Sequence, residues 1–168
     1  MREKPLTDGA IERSKAIAMI HKAVVSMLIG GAIRELGERS LMHDNSKLIA
    51  PELEGYAELV PKLQRTEYGS PEYHAVLEEM APVIAHHVEN NRHHPEFHED
   101  GVDGMNLIDF LEMAIDWYAA STRSSSTFEE GLEHNIKRFK LSPQTAAIIR
   151  NSAPFLEQWA KEFARVLT

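Results

Sequence analysis

No stretch of this chain alternates apolar and polar residues with period two, so it offers no half-buried strand. Apolar residues recur instead at helical spacings. Ile17, Ile20, Val24, Leu28, Ile33 and Leu36 predict one stripe of a first helix facing a core, with Thr7 or Asp8 as N-cap and Gly37 as the stop. A short helix is expected over 41–48. Another opens at Pro51 and ends near Val60, and 61–70 reads as a loop. Ser70-Pro71-Glu72 starts a helix to Asn91, which Pro82 should kink or split. Pro95, Gly101 and Gly104 mark a loop over 92–105. Asn106 with Asp109 heads a helix to Arg123, Ser124-Ser125-Ser126 is a linker, and Thr127 with Glu130 forms a capping box for a helix to Phe139. Ser142-Pro143 and Ser152 with Pro154 start the last two. The reading is all-α, a bundle of about seven helices without a sheet.

At 168 residues the chain suits a single domain, with residues 1–123 as its helical core. Residues 124–168 carry Leu132, Ile136, Phe139, Ile149, Trp159 and Phe163, which read as packing onto that core or onto the partner in a homodimer. The absence of Cys excludes disulfides, Cys-ligated zinc, iron–sulfur clusters and thiol catalysis. A net charge of −8 argues against duplex nucleic acid as a partner. The longest apolar run, Ala23 to Ile33, is eleven residues, short of the roughly 20 that a membrane span needs. Met1 to Pro5 carries both charge signs and does not read as a signal sequence. No membrane contact and a cytoplasmic location are the expectations.

The chemistry concentrates in a few places. His43-Asp44-Asn45-Ser46-Lys47 puts an imidazole beside a carboxylate, a mixed set that Mn, Fe, Co, Ni or Mg accepts. Five of the nine His lie between 86 and 98: His86, His87, His93, His94 and His98. Neighbours on a helix point about 100° apart, so His86 and His87 should not serve one metal in the same way. Asp109, Glu112 and Asp116 share one helix face. From His93 to Thr122 there are seven acidic residues and no Lys or Arg, a field that a bound cation would relieve. His21, alone beside the apolar stripe, reads more readily as a core residue than as a ligand.

In order, His21, His43-Asp44 and the late Asp116-Trp117-Tyr118-Ala119-Ala120 resemble the HD-domain metal-dependent phosphohydrolase superfamily over roughly residues 11–123. The dyad with Ser46-Lys47 resembles that family's His-Asp-x-x-Lys element. His86-His87-Val88-Glu89-Asn90-Asn91-Arg92-His93-His94-Pro95-Glu96 resembles the extra histidines with which some HD proteins hold a second metal. The same stretch, with Asp109-x-x-Glu-Met-x-x-Asp-Trp, is similar to a group of short HD-like proteins of uncharacterised function. The resemblance implies an HD-domain-like helical bundle with one divalent metal or two inside it. It implies His21, His43, Asp44 and Asp116 as the first metal's ligands, Asp109 competing for the last position, and His86, His87 and His94 as further ligands. In HD proteins with two metals the extra histidines come from separated segments, whereas here they are bunched.

The expected activity is hydrolysis of a phosphomonoester or phosphodiester, such as a small nucleotide, by metal-activated water. Asp44 would ligate and orient that water, Lys47 and Arg92 would neutralise phosphate oxygens, and Glu89 or Glu112 would relay a proton. The competing expectations are a non-catalytic helical protein that binds metal or a partner, and an HD-like di-iron oxygenase. No P-loop, dinucleotide fingerprint, His-Glu-x-x-His or nucleophile elbow occurs.

Overall fold

The computed structural model describes residues 7–67, 69–123 and 126–167. It is all-α: 83% of it is helical, with six α-helices and no strand among the described residues. They are α1 (Asp8–Met42), α2 (Glu52–Arg65), α3 (Pro71–Asn90), α4 (Leu107–Ser121), α5 (Phe128–Phe139) and α6 (Pro143–Leu167). Short 3₁₀ turns cover Asn45–Leu48, Pro95–Phe97 and Gly101–Gly104. The expected N-terminal charge pattern over Met1 to Pro5, and Ser124 and Ser125 of the expected linker, fall outside the described residues. The chain divides into two compact units, Met1–Met42 and His43–Thr168.

The first unit is α1. The sequence predicted one buried stripe, but α1 has no buried residue. Ile17, Ile20, Val24, Leu28 and Ile33 are exposed, and so are Met19, Val25, Met27 and Ile29, which occupy the rest of the circumference at 100° per residue. The middle of α1 is therefore apolar all round. An 18-residue window within residues 8–48 has a mean hydropathy of 1.8 with at most two charged residues, which makes this helix long and apolar enough to cross a membrane. The core helix of a soluble protein passes the same test. The expectation of no such segment counted only an uninterrupted run, and the window spans the polar residues that interrupt it. Gly37 does not stop α1, because an internal glycine costs a helix only about 1 kcal/mol. The helix ends at Met42, before Asp44 takes a left-handed conformation (φ 57°), and no separate helix covers 41–48.

In the second unit α2 and α3 pack around Leu59, Val76 and Met80. Helix α2 continues through Pro61 to Arg65, five residues beyond the predicted end, because Leu63 extends the stripe that packs on this cluster. A proline inside a helix costs about 3 kcal/mol, and this long-range burial outweighs it. Pro82 likewise leaves α3 unsplit, with Val83 packed against α2's cluster just beyond it. Helices α4, α5 and α6 enclose Met113, Ala114, Leu132, Leu141 and Ile149. Ser152 and Pro154 do not start a new helix. Ala146, Ile149 and Leu156 are buried along one face of α6, and that face carries the helix through the proline. The capping expectations hold at Ser70, Asn106 and Thr127. Each side chain accepts from the first turn, and full capping boxes form with Asp109 and Glu130.

Candidate metal centre

Four segments of the second unit supply the site. His43 and Asp44 follow the end of α1. Aspartate tolerates the left-handed region better than most residues, so this non-glycine turn is inexpensive at position 44. His86 and His87 come from the last turn of α3, and His93 and His94 from the segment ahead of the Pro95 turn. Glu112 and Asp116 come one turn apart from α4.

Carboxylates beside Nδ1 fix the imidazole rings. His43 Nδ1 lies 2.9 Å from Glu112 Oε1, and His93 Nδ1 lies 3.4 Å from the same oxygen. His87 Nδ1 lies 2.8 Å from Glu52 Oε2. In each ring the other nitrogen, Nε2, is then the one turned to the cluster. His43 Nε2 is 3.7 Å from Asp44 Oδ2 and 3.6 Å from Asp116 Oδ1. His87 Nε2 is 3.3 Å and His93 Nε2 3.6 Å from Asp44 Oδ1. His94 Nε2 is 2.8 Å from His87 Nε2. A carboxylate on Nδ1 with Nε2 aimed inward is the arrangement that orients metal-ligating histidines.

A metal fits this set on two further observations. Asp44 Oδ1 and His93 Nε2 are buried and have no hydrogen-bond partner in the protein. Buried polar atoms are rarely left so. Three groups also bring their ligand atoms within 4.8 Å of one another: Asp44, His87, His93 and His94; His43, Asp44 and Asp116; and His43, His93 and Glu112. Asp44 belongs to the first two groups, with Oδ1 facing one and Oδ2 facing the other. The donor set of imidazole and carboxylate suits a divalent ion such as Mn, Fe, Co, Ni or Mg.

The electrostatics are those of a packed ligand cluster. The contact with Asp116 raises the pKa of His43 to about 9, against burial and with help from Glu112 and Asp44. Burial pushes His93 down to about 3, and the charges of His94 and His43 add to it. His94 is also lowered, by burial first and then by His87. His93 and His94 are thus neutral at pH 7, the form that ligates. Burial works to raise the Asp44 carboxyl, but the hydrogen bond and charge of Lys47 and the charge of His43 help hold it well below the usual range. At Asp116 burial also works to raise the carboxyl, and the contact with His43 together with the charges of His93 and His43 lowers it.

The structure sorts the residues predicted from sequence. His43, Asp44, His87, His94 and Asp116 come together. His21 lies exposed on α1 in the other unit and belongs to none of the three groups. His86 is held by Glu52 Oε1 at 2.8 Å and is in no group. Asp109 is fully buried, but it caps α4 and pairs with Arg92 at 3.1 Å. Arg92 is thereby bound to a carboxylate and stacks 5.2 Å from the centre of the Phe97 ring. Lys47 Nζ contacts Asp44 Oδ2 at 2.6 Å. Glu89 is exposed on α3, outside the groups, while Glu112 is inside one. The sequence reading placed His93 with His94 in the bunched segment that a second metal could use, but did not single it out among the ligands. It missed Glu52 altogether, since an acidic residue in a first helical turn reads as a response to the helix dipole.

A family model described as a family of unknown function (DUF5662) matches residues 11–154. No curated protein and no solved structure matches the chain.

Proposed function

We propose that this chain, which belongs to the family of unknown function DUF5662, is a metal-dependent phosphohydrolase of the HD type, acting on a small phosphomonoester or phosphodiester. The observation that carries the reading is Asp44, whose two oxygens face two different sets of histidine and carboxylate donors. The donors divide into a group of His87, His93 and His94 and a group of His43 and Asp116, with Asp44 common to both. This suits one ion or two. A divalent ion lowers the pKa of its water and polarises a phosphoryl oxygen.

The chain's own residues supply the rest. Asp44, His43, His87, His93, His94 and Asp116 hold the centre, and Glu112 and Glu52 orient their rings. Lys47 Nζ, beside Asp44, is the cation available to a phosphoryl oxygen. Glu112, in contact with His43, is better placed to take up a proton than the exposed Glu89.

The test is elemental analysis of the purified protein, followed by turnover of phosphomonoesters, phosphodiesters and nucleotides with Mn, Fe, Co, Ni and Mg. We expect bound metal and metal-dependent release of phosphate in the parent. Asp44→Asn keeps the left-handed turn but removes the charge. It should lose most of the metal and at least about 100-fold in rate, equivalent to about 2.7 kcal/mol. A parent without metal, or an Asp44→Asn variant with a full complement, would refute the reading. Metal without turnover would favour the binding-protein alternative, and dioxygen consumption with iron the oxidative one.

A further inference from the structure

We propose that Glu52 is a positioning residue for this centre, setting His86 and His87 as Nδ1–H tautomers so that one of the adjacent pair is turned to the cluster and the other held away from it. This rests on the metal-centre reading above. Glu52 is the first residue of α2 and is fully buried. Its Oε1 lies 2.8 Å from His86 Nδ1 and its Oε2 lies 2.8 Å from His87 Nδ1. A carboxylate only accepts hydrogen bonds, so both Nδ1 atoms must donate.

Two other donors approach His87 Nδ1, and neither is free to replace its proton: the Ser46 hydroxyl, 3.3 Å away, gives its hydrogen to Glu52. Asn91 Nδ2 is 3.0 Å from His87 Nδ1 and would compete to donate to it. Its two hydrogens are already taken, by His87 O and by Ser46 Oγ, each at 2.7 Å. Nδ1 therefore carries the proton and gives it to Glu52. A neutral His87 then has its lone pair on Nε2, the atom that lies 3.3 Å from Asp44 Oδ1 and 2.8 Å from His94 Nε2. The helix turns His86 about 100° away from His87. Glu52's other oxygen captures it there, with its side chain 36% exposed. One carboxylate thus gives two consecutive histidines different duties. An apolar residue of the same volume would fill the space but leave the buried His87 N–H without its carboxylate.

The experiment uses the full chain with ¹⁵N-labelled histidine, stripped of metal by a chelator, at pH 8. Long-range ¹H–¹⁵N spectra of the parent should show both His86 and His87 protonated on Nδ1. Glu52→Gln retains one acceptor oxygen and gains a donor NH₂, so it cannot accept from both rings. One ring should move its proton to Nε2, and affinity for Mn or Co should fall about 10–100-fold. Thermal unfolding of the stripped variant should stay close to that of the parent. A parent His87 protonated on Nε2 overturns the proposal even if the variant fails to fold. Unchanged affinity and tautomers in Glu52→Gln overturn it while the metal reading stands. A parent that binds neither Mn nor Co overturns the metal reading, and Glu52's part in it falls too.

Discussion

Asp109 and Asp116 lie two turns apart on one face of α4, and their surroundings give them different tasks. Asp109 is fully buried at the third helical position. There it accepts from the backbone N–H of Asn106, and it pairs with Arg92. Asp116 faces His43 Nε2 at 3.6 Å. Asp109→Ala should therefore lose the cap and the ion pair with Arg92, costing about 2 kcal/mol. It should leave the metal content unchanged. Asp116→Ala should do the reverse, lowering metal content with a smaller effect on stability. Unfolding curves and elemental analysis of the two variants decide this, and equal metal loss in both would contradict the division. The seven-residue spacing showed that the two share a face. What each faces was not legible, because Arg92 and His43 arrive from other segments.

At the scale of elements, α2 and α3 come close together at Gly55. A Cβ there would come within 2.4 Å of Val83 Cγ2, and valine is stiff at χ1. Gly55→Ala should push the two helices apart and cost about 1–3 kcal/mol, measured as a lower denaturant midpoint. A midpoint at or above that of the parent would mean that the helices can shift to make room. Because Glu52 stands one turn before Gly55 on α2 and reaches His86 and His87 on α3, the same variant should also weaken metal binding. The helix starts were legible because capping is local: Ser70, Asn106 and Thr127 each act on a backbone N–H two or three residues away. The helix ends at Gly37, Val60 and Ser152 were misread, since the local breaker at each is too weak to stop a helix that continues past it.

At the scale of the whole molecule, the folded second unit should be linked to its metal. The ligands come from His43–Asp44, the end of α3, the segment after it and α4, so no unfolded chain presents them together. At a free metal concentration about 100 times Kd, the ion should stabilise the fold by about 2.7 kcal/mol. Calorimetry should show this as a rise in Tm for the parent and none for Asp44→Asn. An equal rise in both would indicate metal held elsewhere. Helix α1, described by itself, is apolar around its middle and has no buried residue.

By itself, the sequence determined the all-α class, most helix starts and the residue types of the centre. These depend on spacings of two to four residues and on composition. It also brought out His43, Asp44, His87, His94 and Asp116, because imidazole and carboxylate side chains advertise their chemistry wherever they stand. Tertiary structure alone decided which donors converge and which are spent on caps and ion pairs. The contacts that decide this join residues far apart: His43 and Glu112 are separated by 69 positions, and His87 and Glu52 by 35. Helix ends followed the same rule, since a local cost of about 3 kcal/mol at Pro61 or Pro154 yields to the burial of a continuing apolar face.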